Sequence, residues 1–348
     1  MVITLTALSD LATLGFDMII DARAPAEWVE DHLPGAVSLP VLDDAERARI
    51  GTIYHQESPF RARKIGGALV ARNVAAHLEG PLADLPGSWR PLIYCWRGGQ
   101  RSGAFAAILA QIGWRAETLA GGYKSYRKLV VAALYDQPVA SPVWVLDGNT
   151  GTAKTALLAR LAARGMQVLD LEGLANHRGS IFGGRGLQPS QKAFEGRLAA
   201  ALAGLDPARP VVVEAESSKV GDRSLPPKLW AAMSIAPRLR IEAPLAARAR
   251  YLVRAYADVT ADRAALDALL NRLKPLYAAE VIETWLGQSA DADHLGLAAD
   301  LMQRHYDPRY ARSRARRAGA LDQEFHSDTL EPEALDALAD RLRAAFQG

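Results

Sequence analysis

The sequence predicts two consecutive α/β units, each carrying a mostly parallel sheet, and a helical region at the C-terminal end. Three observations predict this class. Through residue 142, short apolar runs alternate with helical stretches, the pattern of strand–helix–strand crossovers. A second set of such runs begins at Val143, after a segment with two prolines and little periodicity. From about Pro244 onward the apolar residues recur at three- and four-residue steps, the period of a helix face. The chain's 348 residues exceed one ordinary domain of about 100–200, so the units are expected as separate domains. The boundaries read as 1–135, a linker over 136–142, 143–245, and a helical region over 246–348.

In the first unit, Met18-Ile19-Ile20 is a strand leading into Asp21-Ala22-Arg23, and Pro25 opens a helical turn before Ala36-Val37-Ser38-Leu39 returns as a strand. Pro91-Leu92-Ile93-Tyr94 runs as a strand directly into Cys95, and a helix rich in Ala, Ile and Leu covers Ser102 to Gln111. In the second unit, Val143-Trp144-Val145-Leu146 is a strand bounded by Gly148, and Lys154 to Arg164 is a helix ended by Gly165. Val168-Leu169-Asp170-Leu171 and Pro210-Val211-Val212-Val213-Glu214 are further strands of the buried type. Leu266, Leu269, Leu270, Leu273 and Leu276 mark one helix face, and Leu335, Leu338 and Leu342 another.

Composition narrows the function. Apolar residues at 49% and charged residues at 23% are globular values and argue against disorder. A net charge of +2 means that a polyanionic partner would have to be held by a local patch. No run approaches the ~20 apolar residues of a membrane span, and the start lacks a basic segment before an apolar one, so a cytoplasmic location is expected. The single cysteine, Cys95, forbids an internal disulfide and any multi-cysteine metal site. No residue is assigned as a dedicated metal ligand, and no tightly bound cofactor is expected.

Cys95 is followed by Trp96-Arg97-Gly98-Gly99-Gln100-Arg101-Ser102, between a strand end and a helix start. Such a segment curls around an anion: its glycines admit unusual backbone angles, and its N–H groups turn inward. The helix N-terminus and the two arginines favour thiolate over thiol. A free cysteine is ordinarily a small buried hydrophobe, but it has no use for two glycines and two arginines beside it. Arg101 also satisfies the Cys-x5-Arg spacing of cysteine phosphatases, although Tyr94 stands where those enzymes carry histidine.

Gly148-Asn149-Thr150-Gly151-Thr152-Ala153-Lys154-Thr155 fits the phosphate-loop pattern except at Ala153, where glycine is usual. The loop's N–H groups would wrap a phosphate, with Lys154 reaching it and the Thr155 hydroxyl available to Mg2+. Ala153 is expected in a helical conformation, tolerated at some cost in affinity. Asp170, Glu172, Glu214 and Glu216 end strands where a carboxylate would orient the ion. Between Arg304 and Arg317 six arginines stand against one acid, Asp307, interleaved with His305, Tyr306 and Tyr310. Arginine with aromatics suits the phosphates and unstacked bases of a single-stranded loop, while a solvated basic helix face is the ordinary alternative.

The cysteine loop, with Asp21-Ala22-Arg23 and His32-Leu33-Pro34-Gly35-Ala36, resembles the rhodanese family, whose members carry sulfur as a persulfide on that cysteine. Over nearly the whole chain the resemblance is closer. Gly51-Thr52-Ile53-Tyr54, Ala71-Arg72-Asn73, Tyr94 to Ser102, Gly121-Gly122-Tyr123-Lys124, Asp170 to Ser180, Phe182-Gly183-Gly184, Gln188-Pro189-Ser190-Gln191 and His305-Tyr306-Asp307-Pro308-Arg309-Tyr310 all look like the tRNA 2-selenouridine synthase family. The departures are Asp147, Ala153, and Ser218 where an arginine is expected; they bear on phosphate affinity.

The resemblance implies a rhodanese-like parallel-sheet domain, a P-loop α/β domain, and a helical C-terminal region that contacts tRNA. It implies geranylation of wobble 2-thiouridine from geranyl diphosphate, then replacement of the geranylthio group by selenium from selenophosphate. Cys95 would be catalytic, with Arg97, Gly98, Gly99, Arg101 and Ser102 holding selenophosphate. Gly148, Asn149, Thr150, Gly151, Thr152, Ala153, Lys154 and Thr155 would hold the diphosphate, with Mg2+ the ion that site admits. Arg309, Arg312, Arg314, Arg316 and Arg317 would face the tRNA anticodon loop. Two alternatives stay open on the residues alone: a rhodanese-type sulfurtransferase with a nucleotide-dependent P-loop domain, and a tRNA-binding module with a vestigial P-loop.

Overall fold

The computed structural model describes residues 2–315 and 322–346. Two units make up the chain: Met1–Pro138 with Pro189–Gly204, and Val139–Gln188 with Leu205–Gly348. The helix Gln191–Ala203 therefore belongs to the first unit, although its position in sequence places it with the second. Its Glu195 pairs with Arg127 and accepts from the Tyr135 hydroxyl at 2.7 Å, which explains the exchange: a buried carboxylate takes its partners from the first unit.

The first unit holds five strands: β1 (Val2–Ile3), β2 (Met18–Asp21), β3 (Ala36–Ser38), β4 (Pro91–Tyr94) and β5 (Glu117–Leu119). They pair in parallel in the order β1-β5-β4-β2-β3. All four residues of the central strand β4 are buried, as a parallel strand covered on both faces requires. Its core of Ile20, Ile93, Val70, Val74, Phe105 and Leu109 joins the sheet to the helices Pro59–Glu79 and Gln100–Ile112. Asp21 and Arg23 form a fully buried ion pair at 2.6 Å, with the Tyr94 hydroxyl donating to Asp21 at 2.7 Å. Tyr94 thus serves the strand ends and not the sulfur; burial, with Asp21 beside it, holds its pKa well above the usual phenol value.

The second unit holds β6 (Val143–Gly148), β7 (Gln167–Leu169), β8 (Val211–Glu214), the short hairpin of β9 (Lys219–Val220) and β10 (Arg223–Ser224), β11 (Arg238–Glu242) and β12 (Asp322–His326). The main sheet is again parallel, in the order β12-β11-β6-β8-β7. The chain crosses from one side of β6 to the other, so the crevice at the carboxyl end of β6 is the ligand position of this topology. Because β12 completes this sheet, residues beyond 246 do not form a body separate from 143–245. Leu335, Leu338 and Leu342 of the helix Pro332–Ala344 pack with Leu146, Leu157 and Ile241. The leucine series from Leu266 breaks at Pro275: the helix spans Arg263–Asn271, and Leu276 lies exposed in a 3-10 turn.

Candidate functional site

β4 ends at Tyr94, and Cys95 heads the turn into the helix Gln100–Ile112. Its Sγ accepts from the Gly99 N–H at 3.3 Å and from the Ser102 hydroxyl at 3.3 Å. Burial pushes the thiol up, but the bonds from Ser102 and Gly99 and the charge of Arg101 outweigh it, so its pKa lies below the ordinary cysteine value. Cys95 is only 4% exposed, yet the Gly99 amide faces its sulfur. Gly98 has φ +63°, and a β-carbon there would stand 2.2 Å from the Leu119 carbonyl oxygen, so the turn admits only glycine. The Tyr123 and Lys124 N–H groups donate to the carbonyls of Cys95 and Trp96 at 2.8 and 3.1 Å, which locks the turn from the next helix. Arg97 is exposed. Arg101 is committed to Glu27, at 2.6 and 3.3 Å, a partner that nothing in the sequence pattern indicated.

The phosphate loop leaves β6 at Gly148, where a β-carbon would meet the Thr152 hydroxyl at 2.4 Å. Thr152 Oγ1 donates to the Asn149 carbonyl at 2.8 Å, and Lys154 Nζ donates to the Gly148 carbonyl at 3.0 Å. Ala153 corrects the sequence expectation. It is left-handed, at φ 59° and ψ 30°, a conformation costing a non-glycine residue about 1 kcal/mol. Its methyl is buried in the same cluster as Leu157 and Ile241, and this packing offsets the strain. Asp147 also finds its reason here: it forms a buried ion pair with Arg238 at 2.9 Å and accepts from the Gly148 N–H at 2.7 Å.

Around the loop lies a cavity of about 710 Å³, whose wall includes Lys154, Thr155, Glu172, Arg178 and Glu216. Thr155 Oγ1 donates to Glu172 at 3.0 Å, and Glu214 accepts from the Glu172 N–H at 2.6 Å. Burial opposes the charge on Lys154, but Tyr310, Glu172, Asp147 and Glu216 outweigh it and raise its pKa. Burial followed by the charge on Glu172 pushes Glu216 up to about 8, and burial with the same neighbour holds Glu214 well above the carboxylate range. Glu214 Oε2 is buried without a hydrogen-bond partner among the described residues. A hydroxyl with crowded carboxylates is an oxygen donor set that fits Mg2+, which would restore their charge. Asp170 instead caps the helix Leu171–Ala175 through the Gly173 N–H at 2.7 Å.

The basic segment is built into this site. The helix Asp307–Ala315 brings Tyr310 over Lys154, at 5.7 Å from Nζ to the ring centre, and Arg314 onto the Asn149 side chain. Arg304 is paired with Asp300 at 2.8 Å. Asp307 receives both arms of buried Arg248 at 2.9 Å, and that guanidinium also donates to the Thr150 carbonyl at 3.2 Å. Beyond Tyr310 and Glu216 the wall continues into an open groove of about 1550 Å³ carrying Arg309, Arg312, Arg314 and Trp230. Arg316 and Arg317 lie outside the described residues. Arg248, missed by motif reading, is one of three arginines in the helix Leu245–Ala255, and nothing in the sequence pattern sets it apart from Arg250 and Arg254.

Known families match both halves of the chain. Residues 4–129 match the rhodanese-like domain, and residues 141–271 match the tRNA 2-selenouridine synthase AAA domain. A tRNA 2-selenouridine synthase of Chromohalobacter salexigens is 39% identical over 254 residues, 69% of this chain and 65% of that protein, so that match leaves about a third of the relative unpaired. Matches to proteins of the same name reach further in Pseudomonas syringae pv. syringae, at 32% identity, and in Cupriavidus necator, at 34%; each covers 87% of this chain and 90% of the relative. Two domain matches in the order of the two units, and likeness over nine-tenths of such relatives, show that this chain belongs to the tRNA 2-selenouridine synthase family.

Proposed function

We propose that this chain converts 2-thiouridine at the wobble position of tRNA into 2-selenouridine in two steps. In the first, the thiouridine sulfur attacks the allylic carbon of geranyl diphosphate and the carbon–oxygen bond breaks. Negative charge builds on the departing diphosphate, where the loop's N–H groups and Lys154 stabilise it. Thr155, Glu172 and Glu216 would hold a magnesium ion there, and when bound it would supply charge neutralisation for the diphosphate. Such a leaving group calls for no nucleotide hydrolysis, so ATP turnover by this chain should be weak or absent.

In the second step the selenium of selenophosphate attacks C2 of the geranylthiouridine, the C–S bond breaks with geranylthiol leaving, and water takes the phosphoryl group from selenium as inorganic phosphate. The Cys95 turn suits this donor: an anion cradle with a thiolate held in it, and exposed Arg97 at its rim. Arg101, committed to Glu27, acts through its charge on the sulfur more than as a free clamp. The tRNA would approach along Arg309, Arg312 and Arg314, whose groove adjoins the phosphate cavity and carries Tyr310 and Trp230 for stacking.

The observation that carries the reading is the pairing of an amide-cradled cysteine sulfur with a phosphate loop, in a chain whose relatives bear this enzyme's name. Mass spectrometry of tRNA nucleosides tests it, after incubation with geranyl diphosphate and then with selenophosphate. Geranylthiouridine followed by selenouridine is expected. Thiosulfate-to-cyanide sulfur transfer coupled to ATP turnover, without either nucleoside, would instead support the sulfurtransferase alternative.

A further inference from the structure

A second cavity opens beside the phosphate loop, about 570 Å³ including its mouth, and among the described residues no Asp, Glu, Lys or Arg lines it, His294 being its one titratable nitrogen group. It shares Thr150, Leu252 and Tyr256 with the phosphate cavity, so the two are neighbours across one wall. Leu266, Leu297 and Ala298 line the apolar cavity alone. The Ser180 and Tyr256 hydroxyls lie 3.3 Å apart and bond each other, which removes polarity from that wall.

Water gains little in such a space, and a purely polar ligand would lose its hydration there uncompensated. A nucleotide base needs several edge hydrogen bonds, for which this lining is poor. The ligand chemistry that satisfies both cavities at once is a hydrocarbon tail joined to a phosphate head. We propose that the apolar cavity holds the tail of the diphosphate substrate while the loop holds its head, and that Ala298 limits the chain length admitted. This rests on the prenyl-transfer reading and extends it to a place in the fold. Ala298 is the smallest side chain facing the cavity from the helix His294–Leu301, so enlarging it takes volume directly from the tail.

Equilibrium binding of inorganic pyrophosphate, geranyl diphosphate and ATP to the full chain tests the assignment, on the native protein and on Ala298→Phe. In the native protein geranyl diphosphate should bind roughly a hundredfold more tightly than pyrophosphate, from burial of its tail. In Ala298→Phe at least about tenfold of that advantage should vanish, with pyrophosphate affinity held within about twofold. If Ala298→Phe loses pyrophosphate binding as well, Val253→Phe, on a different helix of the same wall, takes its place and decides by the same criterion. A full tail advantage surviving the substitution places the tail elsewhere and overturns the assignment, while leaving prenyl transfer intact. A native protein that binds geranyl diphosphate no better than pyrophosphate, or ATP better than either, overturns the assignment together with the prenyl-transfer reading.

Discussion

Arg248 grips Asp307 with both arms of its guanidinium, each at 2.9 Å, and one of those nitrogens also reaches the Thr150 carbonyl of the phosphate loop. One buried cation thus ties the loop to the helix that carries Tyr310 and Arg314. Removing its counter-charge leaves Arg248 buried and underpaired, which is costly. Asp307→Asn should destabilise the protein by about 2 kcal/mol, less than for a fully buried pair because Asp307 is a quarter exposed. It should also weaken pyrophosphate binding. Urea denaturation reads the first effect, and an unchanged midpoint would show that the pair is not a brace.

Ala153 sets two effects of similar size against each other. Glycine would relieve the left-handed strain of about 1 kcal/mol but remove a buried methyl worth about as much. Ala153→Gly should therefore change stability by less than about 1 kcal/mol. A loss several times larger, by thermal or urea unfolding, would mean that the methyl packs better than this balance allows.

Glu216 makes stability depend on pH in a fixed direction. Its carboxyl sits near 8 in the folded chain against an ordinary 4.5, so the stability it contributes is full below about 4.5 and is lost as pH rises through 8. Without divalent cations the protein should weaken across that window. Glu216→Gln should flatten the dependence and be more stable than the native protein at pH 8. Denaturation at several pH values checks this, and parallel curves for the two proteins would refute it.

The cysteine pKa should move both ways with its neighbours. Ser102→Ala removes a hydroxyl that donates to the sulfur and should raise it; Glu27→Gln releases the charge of Arg101 and should lower it. Ultraviolet thiolate absorbance against pH, with Cys95→Ala as the blank, reads both, since Cys95 is the only cysteine. Shifts of the same sign would contradict the arrangement described.

Both loops were legible in the sequence because backbone-built anion sites leave a dense local signature: glycines, a strand before, a helix after. β2, β3, β4, β6 and β8 were legible for a similar reason, being short apolar runs, and all but the edge strand β3 lie inside their sheets. What escaped was long-range. The Glu27–Arg101 pair spans 74 positions and the Arg248–Asp307 pair spans 59, and neither residue type at its own position announces a partner. The conformation of Ala153 escaped because tertiary packing of one methyl overrides the local preference. The helix Gln191–Ala203 joins the first unit because its sequence neighbours differ from its neighbours in space.

On the proposed function, alkylation falls to the phosphate loop and selenation to the cysteine turn. Nucleoside mass spectrometry of tRNA treated with Cys95→Ala and with Lys154→Ala tests it directly, each supplied with geranyl diphosphate and then selenophosphate. Cys95→Ala should accumulate geranylthiouridine and make no selenouridine, whereas Lys154→Ala should already be impaired in geranylation. Loss of both products in Cys95→Ala, or undiminished geranyl transfer by Lys154→Ala, would contradict it.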